Sequence, residues 1–144
     1  MNKNALIPWL LSCLLLSGCS ASENVQKEFN YSDFENLKIS WNLTFFAAKR
    51  QYFVYIYSLE CLHCNNIKNE VLSFANDDIF PIYFCEWNSD IPADDDVQKT
   101  IGATLIDEVF ILGVPTLLEI DNGVLTSNCA GANSVLALLY SKKK

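Results

Sequence analysis

From Gln51 to Tyr57 the chain reads QYFVYIY, with no glycine, no proline and no charge, and with an aromatic or β-branched residue everywhere but the first position. A run of this kind cannot keep one face in water. It reads as a strand buried on both faces, in the middle of a sheet with a covering layer on either side. The strand stops at Ser58, and Cys61 and Cys64 follow at once, with the chain's one histidine, His63, between them. Past the cysteines, Ile67, Val71, Leu72 and Ala75 recur at helical spacing, while Lys68, Asn69 and Glu70 fall on the other side. The cysteines therefore sit where a buried strand turns into a helix, Cys61 near the N-cap and Cys64 in the first turn. Free amide N–H groups at a helix start favour negative charge, and the thiolate is the nucleophilic form of cysteine.

The remaining elements follow from local signals. PIYFCEW (81–87) reads as a second strand, with Pro81 tolerable only at its start. NSDIPADDD reads as a loop whose Asp94, Asp95 and Asp96 lead into a short helix over 97–101, ended by Gly102. These carboxylates lack the alternating spacing of a calcium loop. Strands are expected at 116–120 and 124–129, joined by an Asp121-Asn122-Gly123 hairpin turn, and a helix at 134–140 closes the chain. Upstream, Ser32 with Glu35 forms a capping-box pattern for a helix over 33–37, and a second helical piece is expected over 41–48.

The N-terminus carries an address. Residues 1–18 have an early lysine, Lys3, then an apolar run from Ala5 to Leu16 and the small residues Ser17 and Gly18, the pattern of a signal peptide. Leu16-Ser17-Gly18-Cys19 resembles the lipobox of bacterial lipoproteins, which implies cleavage before Cys19 and lipid on that residue. The expected organisation is a signal peptide at 1–18, a lipidated tether at 19–31 and one folded domain at 32–144, held at the extracytoplasmic face of the cell membrane. Removing residues 1–18 takes away one lysine and no acid, leaving a net charge of −8. Such a surface repels nucleic acid, so no nucleic-acid partner is expected.

The strand, the C-x-x-C at a helix start, the later Gly113-Val114-Pro115-Thr116, and a closing hairpin and helix with NG and AG steps together resemble the thioredoxin superfamily, over about residues 37–140. The resemblance implies an α/β, thioredoxin-like fold with a central mixed sheet of four to five strands flanked by helices. It implies a cis Pro115 packed against the cysteines, Cys61 as the attacking thiol and Cys64 as the resolving thiol. Val114 and Leu62 are then expected to meet the substrate. His63, just before the second cysteine, resembles the motif of strongly oxidising extracytoplasmic dithiol proteins. Glu60 departs from the family's usual Trp, and its charge opposes a thiolate next door. Leu62 is also uncommon at its position, and Tyr55 stands where the family holds a buried acid.

The implied function is a membrane-anchored thiol–disulfide oxidoreductase acting on the thiols and disulfides of exported proteins, reset by an unidentified redox partner and needing no cofactor. The alternative is a non-enzymatic accessory or interaction lipoprotein in which Cys61 and Cys64 form a structural disulfide. No metal is expected. Cys61 and Cys64 supply only two ligands, Asn65 stands where haem attachment requires His, and the only methionine is residue 1. Cys85 and Cys129 fall on strands that the family's strand order separates by two others, so they read as buried apolar residues.

Overall fold

The computed structural model describes residues 27–143; the signal peptide expected at 1–18 and the lipidation expected at Cys19 lie outside them. Strand β1 (Gln51–Tyr57) is central, parallel to β2 (Ile82–Glu86) and antiparallel to β3 (Thr116–Asp121), which pairs antiparallel with β4 (Val124–Ala130). The sheet is mixed and four-stranded, in the order β2-β1-β3-β4. Every β1 residue from Tyr52 to Tyr57 is at most 1% exposed, as its composition demands. Alternate side chains enter two cores. Phe53, Tyr55 and Tyr57 pack with Cys64, Val71 and Leu72, in a core that also takes in Val135 and Leu139. Tyr52, Val54 and Ile56 pack with Trp41, Ile111 and Leu118. Burying an aromatic or branched aliphatic side chain contributes about 2 kcal/mol, so this one strand anchors both layers.

The two layers differ in kind. Helices α1 (Leu62–Asn66), α2 (Lys68–Asn76) and α3 (Ala132–Ser141) feed the first core. The second is closed by loops and single 3₁₀ turns: the helix expected over 41–48 is a 3₁₀ turn at Trp41–Leu43, and that over 97–101 is one at Val97–Thr100. Loop backbone groups bond across the fold where no helix serves them. Gly102 N–H donates to Leu125 O at 2.8 Å, Leu125 N–H to Ala103 O at 2.9 Å, and Ile111 N–H to Pro92 O at 3.0 Å. Asn128 on β4 ties this layer down, its amide donating to Thr100 Oγ1 at 3.0 Å and to Phe110 O at 2.9 Å.

Two expectations are corrected at the N-terminal end. The tether was expected to run to Tyr31, but Phe29 and Tyr31 are only 7% and 6% exposed. Phe29 packs against Phe34 with ring centroids 5.8 Å apart, and Tyr31 stacks on Tyr57 at 3.8 Å. The folded domain therefore begins by Phe29. The first helix is a 3₁₀ segment, Tyr31–Leu37, capped by Asn30 rather than Ser32. The Asn30 N–H donates to the Asp33 carboxylate at 2.8 Å, while Glu35 pairs with Lys38. The hairpin turn is as expected: Asn122 and Gly123 take φ of +52° and +75°, the positive values a two-residue turn of type I′ requires.

Candidate active site

The chain leaves β1 at Tyr57 and turns tightly, with Cys61 N–H donating to Ser58 O at 3.2 Å. Cys61 keeps extended backbone angles as the N-cap of α1, and its Sγ accepts the Cys64 N–H at 3.1 Å. The cysteine thus does what Ser or Asp does at other helix starts, using sulfur as the acceptor. An amide N–H aimed at sulfur bonds a thiolate more strongly than a thiol. Cys61 is partly exposed, and the Cys61 thiol lies 3.5 Å from the Val114 carbonyl, to which it donates.

Cys64, three residues on, faces inward and is fully buried. Burial, with hydrogen bonding to Cys61 as the second cause, pushes its thiol up to about 12. One thiol is open to solvent and the other is sealed beneath it. That division suits one cysteine to meet an incoming disulfide and the other to act only after the first has reacted.

Val114 reaches the cysteines because β3 starts just past it, next to β1. The Val114–Pro115 peptide bond is cis. Pro115 is buried, its carbonyl accepts the Gly131 N–H at 2.8 Å, and Thr116 Oγ1 donates to Gly113 O at 2.6 Å. An open groove of about 520 Å³ lies beside Val114, lined by His63, Ile67, Val114, Pro115, Gly131 and Ser134 among others. An extended segment laid in it would pass Val114, whose carbonyl accepts from the Cys61 thiol.

Of the site residues expected from sequence, Cys61, Cys64, Val114 and Pro115 come together at the end of β1. His63 is exposed on the groove wall. Leu62 is 70% exposed at the start of α1, projecting into solvent beside Cys61. Cys19 lies outside the described residues. Cys85 and Cys129 are free thiols on β2 and β4, with β1 and β3 between them; Cys85 is buried as expected, whereas Cys129 is only half-buried. Burial, then repulsion from Glu86, pushes the Cys85 thiol up to about 11, and burial also raises Cys129. Among the described residues, no three His, Cys, Asp or Glu side chains gather as a metal site.

Sequence reading missed part of the setting. Tyr31, assigned to the tether, joins Tyr55 and Tyr57 in the core that holds Cys64. Burial pushes the Tyr57 phenol up to about 12, with repulsion from Glu86 and Glu35 adding to it. Burial also raises Tyr31 and Tyr55. Gly131 and Ser134 of the groove come from the entrance of α3, which begins at Ala132, two residues earlier than expected.

A scan against protein-family models finds no match for this sequence, and a search of curated proteins finds none either. Solved structures do match. The short form of thioredoxin f from spinach chloroplast is similar with a TM-score of 0.50 at 14% identity, over 74% of this chain and 92% of that one. Thioredoxin f2 from Chlamydomonas reinhardtii gives 0.49 at 14% identity, over 73% and 94%. Thioredoxin from Aeropyrum pernix gives 0.45 at 18% identity, over 80% and 82%. At these identities the likeness is one of fold: with the spinach protein, the chain shares the thioredoxin-like α/β architecture.

Proposed function

We propose that this chain is a thiol–disulfide oxidoreductase, anchored by lipid on Cys19 to the extracytoplasmic face of a bacterial cell membrane and exchanging disulfides with exported proteins. One observation carries the reading: a partly exposed Cys61 thiol, capped by the Cys64 N–H and touching the Val114 carbonyl, directly above a fully buried Cys64. The thioredoxin-like fold supports it.

The chemistry balances within the two cysteines. The Cys61 thiolate attacks one sulfur of a substrate disulfide, and the bonding pair leaves with the other sulfur as thiolate. Cys64, once deprotonated, attacks Cys61 Sγ in the mixed disulfide and expels the second substrate thiolate. Substrate gains two electrons and becomes a dithiol, while Cys61 and Cys64 become a disulfide. Run backwards, the same steps hand a disulfide to an exported dithiol. Either direction calls for a redox partner to reset the cysteines. The groove beside Val114 would hold the substrate backbone, with exposed Leu62 offering it an apolar contact. The anchor reading rests on the lipobox resemblance and on a charge pattern that leaves membrane attachment to the lipid.

The test uses the full-length chain in detergent with a disulfide-bonded peptide and its reduced form. Exchange should proceed with wild type, disappear in Cys61→Ser, and stall at a trapped mixed disulfide in Cys64→Ser. Exchange that survives Cys61→Ser refutes the reading. A Cys61–Cys64 disulfide that never cycles refutes it too, and favours the interaction module. Acyl labelling of wild type but not of Cys19→Ser checks the anchor separately.

A further inference from the structure

The turn into α1 reads Leu59-Glu60-Cys61-Leu62, so the attacking cysteine stands beside a carboxylate and between two leucines. Leu59 and Leu62 are 57% and 70% exposed, and Glu60 is exposed as well. The Glu60 N–H donates to Ser58 Oγ at 3.3 Å, which ties the backbone of the turn. The Glu60 carboxylate enters none of the ion pairs among the described residues: these join Lys38 to Glu35, Lys99 to Asp96, Lys142 to Glu119 and Lys143 to Asp77. Lys68, the nearest lysine or arginine in sequence, donates to Asn30 Oδ1 at 2.6 Å and lies over the Tyr31 ring. Lys49 and Arg50 precede β1, at the opposite end of that strand from the cysteines. Glu86, opposite Tyr57 in the β1–β2 register, is exposed at the cysteine end of the sheet and adds charge of the same sign.

The mixed disulfide brings a substrate within range of this charge. A disulfide holds its two α-carbons about 5.5–6 Å apart, and each neighbouring residue adds about 3.8 Å of chain. A charged side chain beside the substrate's cysteine can therefore come to about 6 Å from the Glu60 carboxylate. The attraction or repulsion acts across water and needs no fixed rotamer on either side. We propose that Glu60 is a specificity-determining residue, favouring substrates whose reacting cysteine has Lys or Arg beside it and disfavouring those with Asp or Glu there. Leu59 and Leu62 on either side are left to contact apolar side chains of the same segment. The proposal rests on the redox reading above and names the class of exported-protein cysteine that the site takes.

The size of the effect follows from Coulomb's law. Two unit charges about 6 Å apart in water at low salt change a rate about threefold. Replacing Lys by Glu beside the substrate's cysteine reverses the sign, so Glu60 alone should separate the two substrates about tenfold. At 1 M salt the screening length falls to about 3 Å, and most of that separation should disappear.

The experiment uses the full-length chain in a non-ionic detergent and two peptides with one internal disulfide, identical except for the residue before each cysteine, which is Lys in one and Glu in the other. The reduced chain is mixed with the disulfide peptides and the oxidised chain with their dithiol forms, and the second-order rate constants are read from acid-quenched samples. Wild type should prefer the Lys peptide, and Glu60→Gln should shrink the Lys-to-Glu rate ratio about tenfold at low salt but less than about twofold at 1 M salt. Glu60→Asp should keep most of the ratio. Any effect of the Glu60 charge on the Cys61 thiolate itself alters both rates alike and cancels in the ratio. The intrinsic reactivity of each peptide cancels between wild type and variant. Glutamine matches glutamate in shape at an exposed position, so wild type and variant should melt together. A low-salt ratio that Glu60→Gln leaves within about twofold of wild type overturns the proposal, and the redox reading stands. If wild type exchanges with neither peptide in either direction, both fall.

Discussion

Reduced-state stability should fall with pH above about 9 in a way that Cys64 and Cys85 can be made to reveal one at a time. Both side chains are fully buried. Burial holds the Cys64 thiol at about 12 and the Cys85 thiol at about 11, against an ordinary value of 9.0. The folded state therefore keeps a proton that the unfolded state loses. The stabilisation is complete below 9 and is lost as pH rises, through the window from 9 to 12 for Cys64 and from 9 to 11 for Cys85. Integrating the proton difference between pH 9 and pH 10 gives about 1 kcal/mol for each thiol. The assay is denaturant unfolding of the reduced chain at both pH values, for wild type, Cys64→Ala and Cys85→Ala. Removing a thiol costs stability at either pH by leaving a small cavity, but that cost does not depend on pH. Each variant should lose about 1 kcal/mol less than wild type between the two pH values. The cysteines lie in different cores, so the double variant should lose about 2 kcal/mol less. Tyrosines that ionise over the same range contribute equally to every chain and cancel. Parallel losses in wild type and variants would refute the argument that burial protects these thiols.

Two further outcomes follow from the corrected boundary and the hairpin. A chain lacking residues up to Tyr31 should be at least about 3 kcal/mol less stable than one starting at Lys27, because it loses the buried Phe29 and Tyr31 rings; equal melting curves would return residues 27–31 to the tether. Gly123→Ala meets no atom within 4 Å but forces a β-carbon onto a φ of +75°, so unfolding should show a loss of about 1 kcal/mol with exchange activity unchanged.

Much of the site was legible because its signals are local. The composition of Gln51–Tyr57 requires burial on both faces. The apolar spacing after Cys64 requires a helix, so two cysteines between them must stand at a strand-to-helix turn. The Asn122-Gly123 step requires a tight hairpin, since few other dipeptides accept positive φ twice. Reading failed where burial is conferred from a distance. Phe29 and Tyr31 sit among polar residues and look solvated, yet Tyr31 is buried by Tyr57, twenty-six residues along. The loops between β2 and β3 lack helical periodicity because their backbone groups are satisfied by β4 and by one another.

The sequence by itself determined the elements that nearest-neighbour physics can specify: a doubly buried strand, a helix beginning at a cysteine, and a turn that only certain residues tolerate. Only the tertiary structure decided which groups meet. The Cys61 thiol finds its acceptor on Val114, 53 residues away, and Cys64 shares its core with Tyr31 from the N-terminal segment and Tyr55 and Tyr57 from β1. Such contacts depend on how β1, β3 and the N-terminal segment stack against each other. No periodicity along the chain encodes that arrangement, because it arises from burial that many distant residues create together.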